Sequence, residues 1–161
     1  MDRAAKAIEQ WKRERPDLDV TPMAVLGRLS EAASLIARER LAPLFARFGL
    51  QSGEFDVLAT LRRSGSPYAL TPTALYEATM VTSGAMTNRL DRLEKAGLIR
   101  RAPHPSDRRG VVVQLTEKGR DLIDEALAAH LANEHQILSG LTHTEREALA
   151  NLLRKLIASL S

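Results

Sequence analysis

A helical pattern that runs directly into two short β-forming runs, within residues 82–119, constrains the fold of this chain most strongly. Residues 98–101 and 111–115 have β propensity, and a turn-rich segment with two prolines and a glycine separates them. Three apolar residues that repeat with helical spacing predict a helix over 83–96: Met86, Leu90 and Leu93. The pattern therefore predicts a helix followed by a two-stranded β-hairpin.

Capping residues followed by proline mark the starts of two more helices. Thr21–Pro22 and Thr71–Pro72 each combine an N-cap residue with proline at the first helical position. Pro43 is expected to kink the longer of these helices near its end. Helices are predicted over 2–15, 22–48, 52–63, 72–79 and 83–96. The last three of them, with a turn before the final one, follow the order of a helix-turn-helix unit.

The C-terminal part of the chain returns to a helical pattern. Apolar residues recur with helical spacing after Thr116, and a capping box of Thr142 and Glu145 predicts a last, leucine-rich helix. One short domain cannot bury this helix and the apolar face of residues 22–48, so both are expected in a dimer interface. A monomer core filled by the same faces is the alternative.

Positive charge is concentrated in the helix and hairpin. Between Arg89 and Arg109, seven Lys or Arg residues oppose three Asp or Glu residues, which gives this segment a charge of +4. The whole chain carries +3, so the remaining residues carry about −1. A local basic patch of this kind is typical of nucleic-acid binding.

The overall composition narrows the protein class further. Hydrophobic residues make up 44% of the chain and aromatic residues only 4%, which favours leucine- and alanine-rich helices over a β-sandwich. The chain contains no cysteine, which excludes disulfides and thiolate metal sites and fits a reducing cytoplasm. No apolar run approaches the ~18 residues that span a bilayer, so a cytoplasmic protein without membrane contact is expected.

The start of the helix and the tip of the hairpin supply the predicted DNA contacts. Short polar side chains near the helix start suit base edges and phosphates, and Gly84 permits a close backbone approach. Arg108 and Arg109, at the hairpin tip, are placed to enter a minor groove or to clamp phosphates. The candidate DNA-binding residues are Thr82, Ser83, Gly84, Thr87, Asn88, Arg92, Arg101, His104, Arg108 and Arg109.

Two other classes of protein fit the sequence less well than a DNA-binding regulator. An enzyme is disfavoured because no phosphate loop, nucleophile elbow or catalytic histidine spacing is found, so no catalytic residue or cofactor is predicted. His130 and His135 are five apart and make a zinc site conceivable, but a solvated polar face is preferred and no metal is predicted. A winged-helix module used only for protein contacts would not need the basic segment.

Several segments together resemble the MarR family of winged helix-turn-helix regulators. GEFDVLATL, SGAMTNRLDRLEKAGLIRR, the Asp107–Arg109 D-x-R motif and VVVQLTEKG follow one another as in that family, over about residues 25–160. The resemblance implies a homodimer with interlocked terminal helices that binds a pseudo-palindromic site in double-stranded DNA. It also implies a repressor that a small molecule relieves.

The resemblance gives the fold and its division along the chain. The expected fold is mainly α with a small β-wing: a winged helix-turn-helix DNA-binding domain plus a helical dimerisation region. Residues 51–115 are expected to form the DNA-binding domain, 21–50 and 116–161 the dimerisation region, and 1–20 an N-terminal extension helix.

The N-terminal segments WKRERPDLD and TPMAVLGRLS resemble the urate-responsive branch of this family. That resemblance implies an effector pocket lined by Trp11, Asp56 and Arg89, with Arg28 as a further candidate. Arg62, Arg63 and Arg101 are further candidates for the same pocket, with no preference among them. The expected effector is a small anion, which leaves urate, another purine, a phenolic compound and a polycarboxylate such as citrate or aconitate open. Simple packing of Trp11, without a ligand, is the alternative.

Asp56 and Arg89 are also linked by their positions in the predicted helices. Asp56 is flanked by apolar residues, so its carboxylate is expected to be buried and to need a cationic partner. Arg89 lies about 60° from the apolar face of its helix and is placed to turn inward. A structural salt bridge between them, in a regulator without a small-molecule effector, is the alternative.

Overall fold

The computed structural model describes residues 2–79, 83–107 and 110–160. The chain divides into two compact units, Met1–Pro43 and Leu44–Ser161. The mainly helical fold with a small antiparallel sheet that the sequence predicts is confirmed.

The first unit consists of α1 (Arg3–Glu14) and α2 (Pro22–Leu35), followed by a π-helical segment, Ile36–Leu41. Asp2 caps α1, because its side chain accepts the N–H of Ala5 at 2.8 Å. A Cβ on Gly27 would lie 3.3 Å from the Cβ of Ala4, so the two helices pack closely at this point.

The predicted helix over 22–48 is interrupted by the π-helical segment. The N–H of Ala42 donates to the carbonyl of Ala37, five residues back, and α3 (Ala42–Arg47) follows. Pro43 has no N–H to donate, and its ring crowds the carbonyl four residues before it. A wider turn just before the proline relieves that crowding. The structure therefore has a π-helical segment just before Pro43, near the place where the sequence predicted a kink.

The second unit contains the remaining helices: α4 (Ser52–Arg63), α5 (Pro72–Thr79), α6 (Ser83–Lys95), α7 (Glu117–Ile137) and α8 (His143–Leu160). The capping box that predicted α8 is present, because Thr142 N–H donates to Glu145 at 2.7 Å and Glu145 N–H donates back at 3.3 Å. The largest fully buried side chains are Leu58, Leu61, Leu75, Leu93, Ile99, Ile123, Val57 and Val113. They join α4, α5, α6, α7 and the sheet in one core.

The sheet has one strand more than the sequence predicted. The hairpin strands β2 (Ile99–Pro103) and β3 (Val111–Leu115) are joined by a two-residue strand, β1 (Ala69–Leu70), in the antiparallel order β1–β3–β2. The predicted two-stranded wing is present as β2 and β3, and the strand that the sequence did not predict is β1. A two-residue strand is too short to show alternation in the sequence and is defined only by its pairing with β3.

Within the part of the chain that the structure describes, none of the helices has both the length and the apolar character that crossing a bilayer requires.

Candidate nucleic-acid interface

Helix α6 presents the face that the sequence predicted. Met86 and Leu90 are each 4% exposed and Leu93 is 1% exposed, so the apolar stripe lies in the core. Thr87 and Asn88 are exposed on the opposite side. The orientation of α6 is therefore confirmed, and its polar face is open to a ligand.

Several candidate DNA contacts lie outside the described residues. This holds for Thr82, Arg108 and Arg109, for the side chain of Ser83 and for the surroundings of Gly84. Their contacts with DNA stay predictions.

The end of α6 is fixed to the start of α7 by the segment Leu115–Gly119. The Thr116 hydroxyl donates to the carbonyl of Gly97 at 2.7 Å and accepts the N–H of Gly119 at 3.0 Å, so it also caps α7. A Cβ on Gly119 would collide with the backbone carbonyl of Leu98. Threonine and glycine at these two positions thus let α7 hold the end of α6 in place.

Arg92 has a role that the sequence did not predict. Its Nε donates to Oε1 of Glu54 at 2.6 Å, and the Glu54 side chain is only 3% exposed. The other oxygen of Glu54 accepts the N–H of Gln51 at 2.8 Å, so one carboxylate caps α4 and holds α6. The Arg92 side chain remains 59% exposed, which leaves the rest of its guanidinium accessible. The Gln51–Glu54 capping spacing was the sequence feature from which this link could have been found.

Arg89 turns inward, as its position on the helix predicted. Its guanidinium lies against Gly53 near the start of α4, and a Cβ at Gly53 would collide with it. Its Nη1 is buried and has no hydrogen-bond partner. A buried guanidinium nitrogen without an acceptor is costly, and an anion would remove that cost.

Asp56 is not the buried carboxylate that the sequence predicted, since it is exposed and Glu54 is buried instead. Apolar neighbours in the sequence of a helix do not ensure that every face of the helix is covered. Partial desolvation still raises the pKa of Asp56, and the charges of Arg89, His130 and Arg63 act in the opposite direction. A cavity of about 220 Å³ lies beside the carboxylate and is lined by Asp56, Ala59, Thr60, Arg63, Ala78 and Thr79.

His130 is not part of a solvated polar face, which corrects the expectation from the sequence. Its ring centroid lies 4.9 Å from that of Phe55 and 5.5 Å from that of Phe45. Its Nε2 lies 3.1 Å from Glu134, and its Nδ1 is buried without a hydrogen-bond partner. Across the described residues there is no group of three or more potential metal ligands.

Trp11 and Arg28, the other two candidates for the effector pocket, belong to the first unit. Trp11 is 46% exposed on α1. Arg28 donates from Nε to Asp2 at 3.0 Å and from Nη1 to the carbonyl of Ala24 at 2.8 Å. The Ala5 N–H and Arg28 hold the pKa of Asp2 below its usual value. Asp56 and Arg89 belong to the second unit, so a pocket shared by all four stays a prediction.

The other arginines proposed from the sequence bind groups within the second unit. Arg62 pairs with Asp124 at 2.8 Å and lies 5.0 Å from the ring centre of Tyr68. Arg63 donates to Thr60 at 3.2 Å.

The hairpin is organised by its own polar side chains. His104 Nδ1 accepts the backbone N–H groups of Ser106 and Asp107, both at 3.2 Å, and so shapes the turn. Arg100 donates to the Gln114 side chain on β3 at 2.8 Å, while Arg101 pairs with acids of α6. A phosphate contact from His104 stays a prediction.

Comparison with known proteins identifies this arrangement. Residues 48–110 match the sequence model of the MarR family. The HTH-type transcriptional regulator PecS of Dickeya dadantii is 47% identical over 146 residues, which cover 91% of this chain and 87% of PecS. The chain belongs to the MarR family. The resemblance to the urate-responsive branch of the MarR family is consistent with the similarity to PecS.

Solved MarR-family structures have the same fold. A variant of Escherichia coli MarR in complex with operator DNA has a TM-score of 0.73 and 28% identity, over 86% of this chain and 99% of that one. A MarR-family regulator of Streptomyces coelicolor in complex with DNA has a TM-score of 0.79 and 25% identity, over 89% and 94% of the two chains.

These relatives define the function at the level of the MarR family. They are transcriptional regulators and not enzymes, which confirms the DNA-binding regulator predicted from the sequence. Helix α6 is accordingly the recognition helix, and β2, β3 and the turn between them are the wing.

Proposed function

We propose that this MarR-family regulator is a homodimeric repressor that binds a pseudo-palindromic operator and is released from it by a small anion. Residues 51–115 would form its DNA-binding domain, 21–50 and 116–161 its dimerisation region, and 1–20 the extension helix. The observation that carries the proposal is the buried, unpartnered Nη1 of Arg89, on the same helix that reads DNA.

The proposed effector site is centred on Arg89 and Asp56. Arg89 provides a positive charge and an unsatisfied donor, whereas the Asp56 carboxylate is already disfavoured by partial desolvation, which raises its pKa. An anion bound to Arg89 would satisfy the donor and repel the Asp56 carboxylate. Urate, another purine, a phenolic compound or a polycarboxylate would supply such a charge, with Trp11 and Arg28 as further proposed contacts.

Release of DNA would follow from the position of Arg89 on the recognition helix. Moving the Arg89 guanidinium away from Gly53 would displace α6, and with it Asn88 and Arg92, relative to the DNA groove. An anion that favours this displaced state must bind less well when DNA is bound, because the coupling between two sites is reciprocal. Effector and operator would therefore antagonise each other.

A regulator without an effector is the second candidate, favoured by the close packing of Arg89 on Gly53. In that case Arg89 and Asp56 interact only to hold α6 against α4, and their charges have no ligand.

Homodimerisation is supported by apolar side chains that remain exposed in the single chain. On α8, Leu152 is 65% exposed, Ile157 is 63% exposed and Leu160 is 79% exposed. On α2, Val25 is 64% exposed and Leu26 is 56% exposed. Apolar surface of this extent is typical of an interface between subunits. A two-fold dimer would present its recognition helices to half-sites about 10 base pairs apart.

Operator binding in the presence of candidate anions tests the proposal. Fluorescence anisotropy on a duplex from the region upstream of the gene would be measured with urate, xanthine, 4-hydroxybenzoate and citrate. At least one anion should weaken binding by the wild type, and Arg89→Gln should bind DNA but lose that response.

Arg120→Gln is the control, since it removes one positive charge from a partly exposed site on α7, outside the proposed effector site. It should retain an anion response. If Arg89→Gln responds to the anion as the wild type does, the proposed site is wrong. If none of the anions acts on the wild type, the regulator without an effector is favoured.

A further inference from the structure

Arg101, on the first strand of the wing, is bound by two carboxylates of the recognition helix. Its Nη2 donates to Asp91 at 2.6 Å, and its Nη1 forms an ion pair with Glu94. The backbone N–H of Arg101 donates to the other oxygen of Glu94 at 3.1 Å. Three contacts therefore join a single residue of β2 to one face of α6.

The spacing of the two acids and the position of β2 explain this contact. Asp91 and Glu94 are three residues apart, so they lie on the same face of the recognition helix. Strand β2 is at the edge of the sheet, where N–H groups that point away from β3 lack a strand partner. Glu94 supplies an acceptor to one of these groups, on Arg101, and binds the guanidinium of the same residue.

The charges around Arg101 do not suit a direct contact with DNA. One guanidinium lies between two carboxylates, which leaves this group of three with an excess of negative charge. The hydrogen bond that Arg101 donates to Asp91 and the charge of Glu94 raise the pKa of Arg101, so the guanidinium is firmly held in its charged, paired form. A phosphate that approached Arg101 would meet repulsion from both acids.

We propose that Arg101 is a positioning residue, which fixes the wing relative to the recognition helix so that both engage one duplex together. The DNA contact predicted for Arg101 from the sequence is replaced by this role. The inference depends on DNA binding by the MarR family and not on an effector or a dimer.

The geometry requires arginine at this position. A planar guanidinium donates from two nitrogens at once and thereby reaches Asp91 and Glu94 together. A lysine would keep the charge but would present a single ammonium group in place of the fork. Arg101→Lys therefore separates loss of the bridge from loss of positive charge.

The test measures DNA affinity over a range of salt concentrations for Arg101→Gln, Arg101→Lys and the double variant Asp91→Ala/Glu94→Ala. The DNA probes are a duplex from the upstream region of the gene and a scrambled duplex of the same length. Thermal melting and circular dichroism establish that each variant is folded before its binding is compared.

We expect all three variants to bind the upstream duplex about tenfold more weakly, with little change on scrambled DNA. The slope of log affinity against log salt should stay close to that of the wild type, because Arg101 itself makes no phosphate contact that the variants would remove. Removing the acids should weaken binding even though it deletes two negative charges near DNA. Adding Arg101→Gln to the acid double variant should have little further effect, because the bridge is already absent.

Three results would overturn the inference. A slope reduced by about 0.9 in Arg101→Gln and restored in Arg101→Lys would make Arg101 a phosphate contact. Stronger binding by the acid double variant would mean that the acids only repel DNA. Wild-type affinity and specificity in all three variants would mean that the bridge does not position the wing. If Arg101→Gln fails to fold, the lysine and acid variants still distinguish these results.

Discussion

Individual arginines of the basic segment have different roles, which their shared charge conceals. Arg89 lies against Gly53, Arg92 binds the buried Glu54, and Arg101 binds acids of the recognition helix. The charge of +4 counted between Arg89 and Arg109 is therefore only partly available to DNA. At the residue scale, these arginines connect the recognition helix to α4 and β2 as well as providing positive charge.

A methyl group at Gly53 should report on the position of Arg89. Gly53→Ala is expected to destabilise the protein by about 1–3 kcal/mol, because the added Cβ collides with the guanidinium. Chemical denaturation measures this change. In an Arg89→Ala background the same substitution should cost nothing, since alanine then only favours the helix. An equal cost in both backgrounds would contradict the contact.

The pH dependence of stability should identify the desolvated carboxylate of Asp56. Because its folded pKa is raised above the usual 3.8, ionisation of Asp56 disfavours the folded state as pH rises through and beyond that value. Asp56→Asn should therefore stabilise the protein at pH 7, by less than about 1 kcal/mol at so exposed a site. Denaturation curves should show this gain disappear near pH 3, where both states are protonated. If the stability gain of Asp56→Asn were unchanged near pH 3, it could not come from the ionised carboxylate of Asp56.

At the scale of secondary structure, most helix bounds could be predicted from the sequence because they depend on local features. Thr-Pro starts, glycine ends and apolar periodicity are properties of a few neighbouring residues. Strand β1 and the π turn could not be predicted in the same way. The first exists only through pairing with β3, and the second is one of several ways to accommodate Pro43.

The same distinction applies to the candidate site. The outward face of α6 and the inward turn of Arg89 follow from helical geometry, and both were predicted correctly. The pairs Arg92–Glu54 and Arg101–Glu94 each join residues of two different secondary-structure elements, so the packing of those elements decides whether the pairs form. The prediction that Asp56 is buried was wrong, because the elements that pack against α4 decide which faces of that helix are covered.

The junction between α6 and α7 offers a test at the element scale. Gly119→Ala places a Cβ against the rigid backbone carbonyl of Leu98, so the end of α6 must move. We expect a loss of about 1–3 kcal/mol in stability and weaker operator binding. Calorimetry and anisotropy measure the two effects.

Gly140→Ala is the matched control, because a Cβ there would meet no atom within 4 Å. Its stability should stay within about 0.5 kcal/mol of the wild type. If the two alanine variants were equally stable, the close contact at Gly119 would not hold the recognition helix.

At the scale of the whole molecule, the exposed apolar face of α8 should determine the assembly. Leu152→Glu places a charge in the proposed interface and should raise the dimer dissociation constant by at least about tenfold. Sedimentation equilibrium measures the change. Glu147→Lys, on the opposite side of α8, alters charge without touching the apolar stripe and should remain dimeric. A dimeric Leu152→Glu protein would place the interface elsewhere.

The most direct test of the central claim is the stoichiometry and salt dependence of binding to the duplex upstream of the gene, measured by light scattering and anisotropy on the same samples. Two protomers should bind each operator. Log affinity should fall linearly with log salt concentration, with a slope of several units. Each unit of slope corresponds to an about tenfold loss of affinity for a tenfold rise in salt. Binding by one protomer, or an affinity that salt does not change, would contradict a dimer that presents paired recognition helices to DNA.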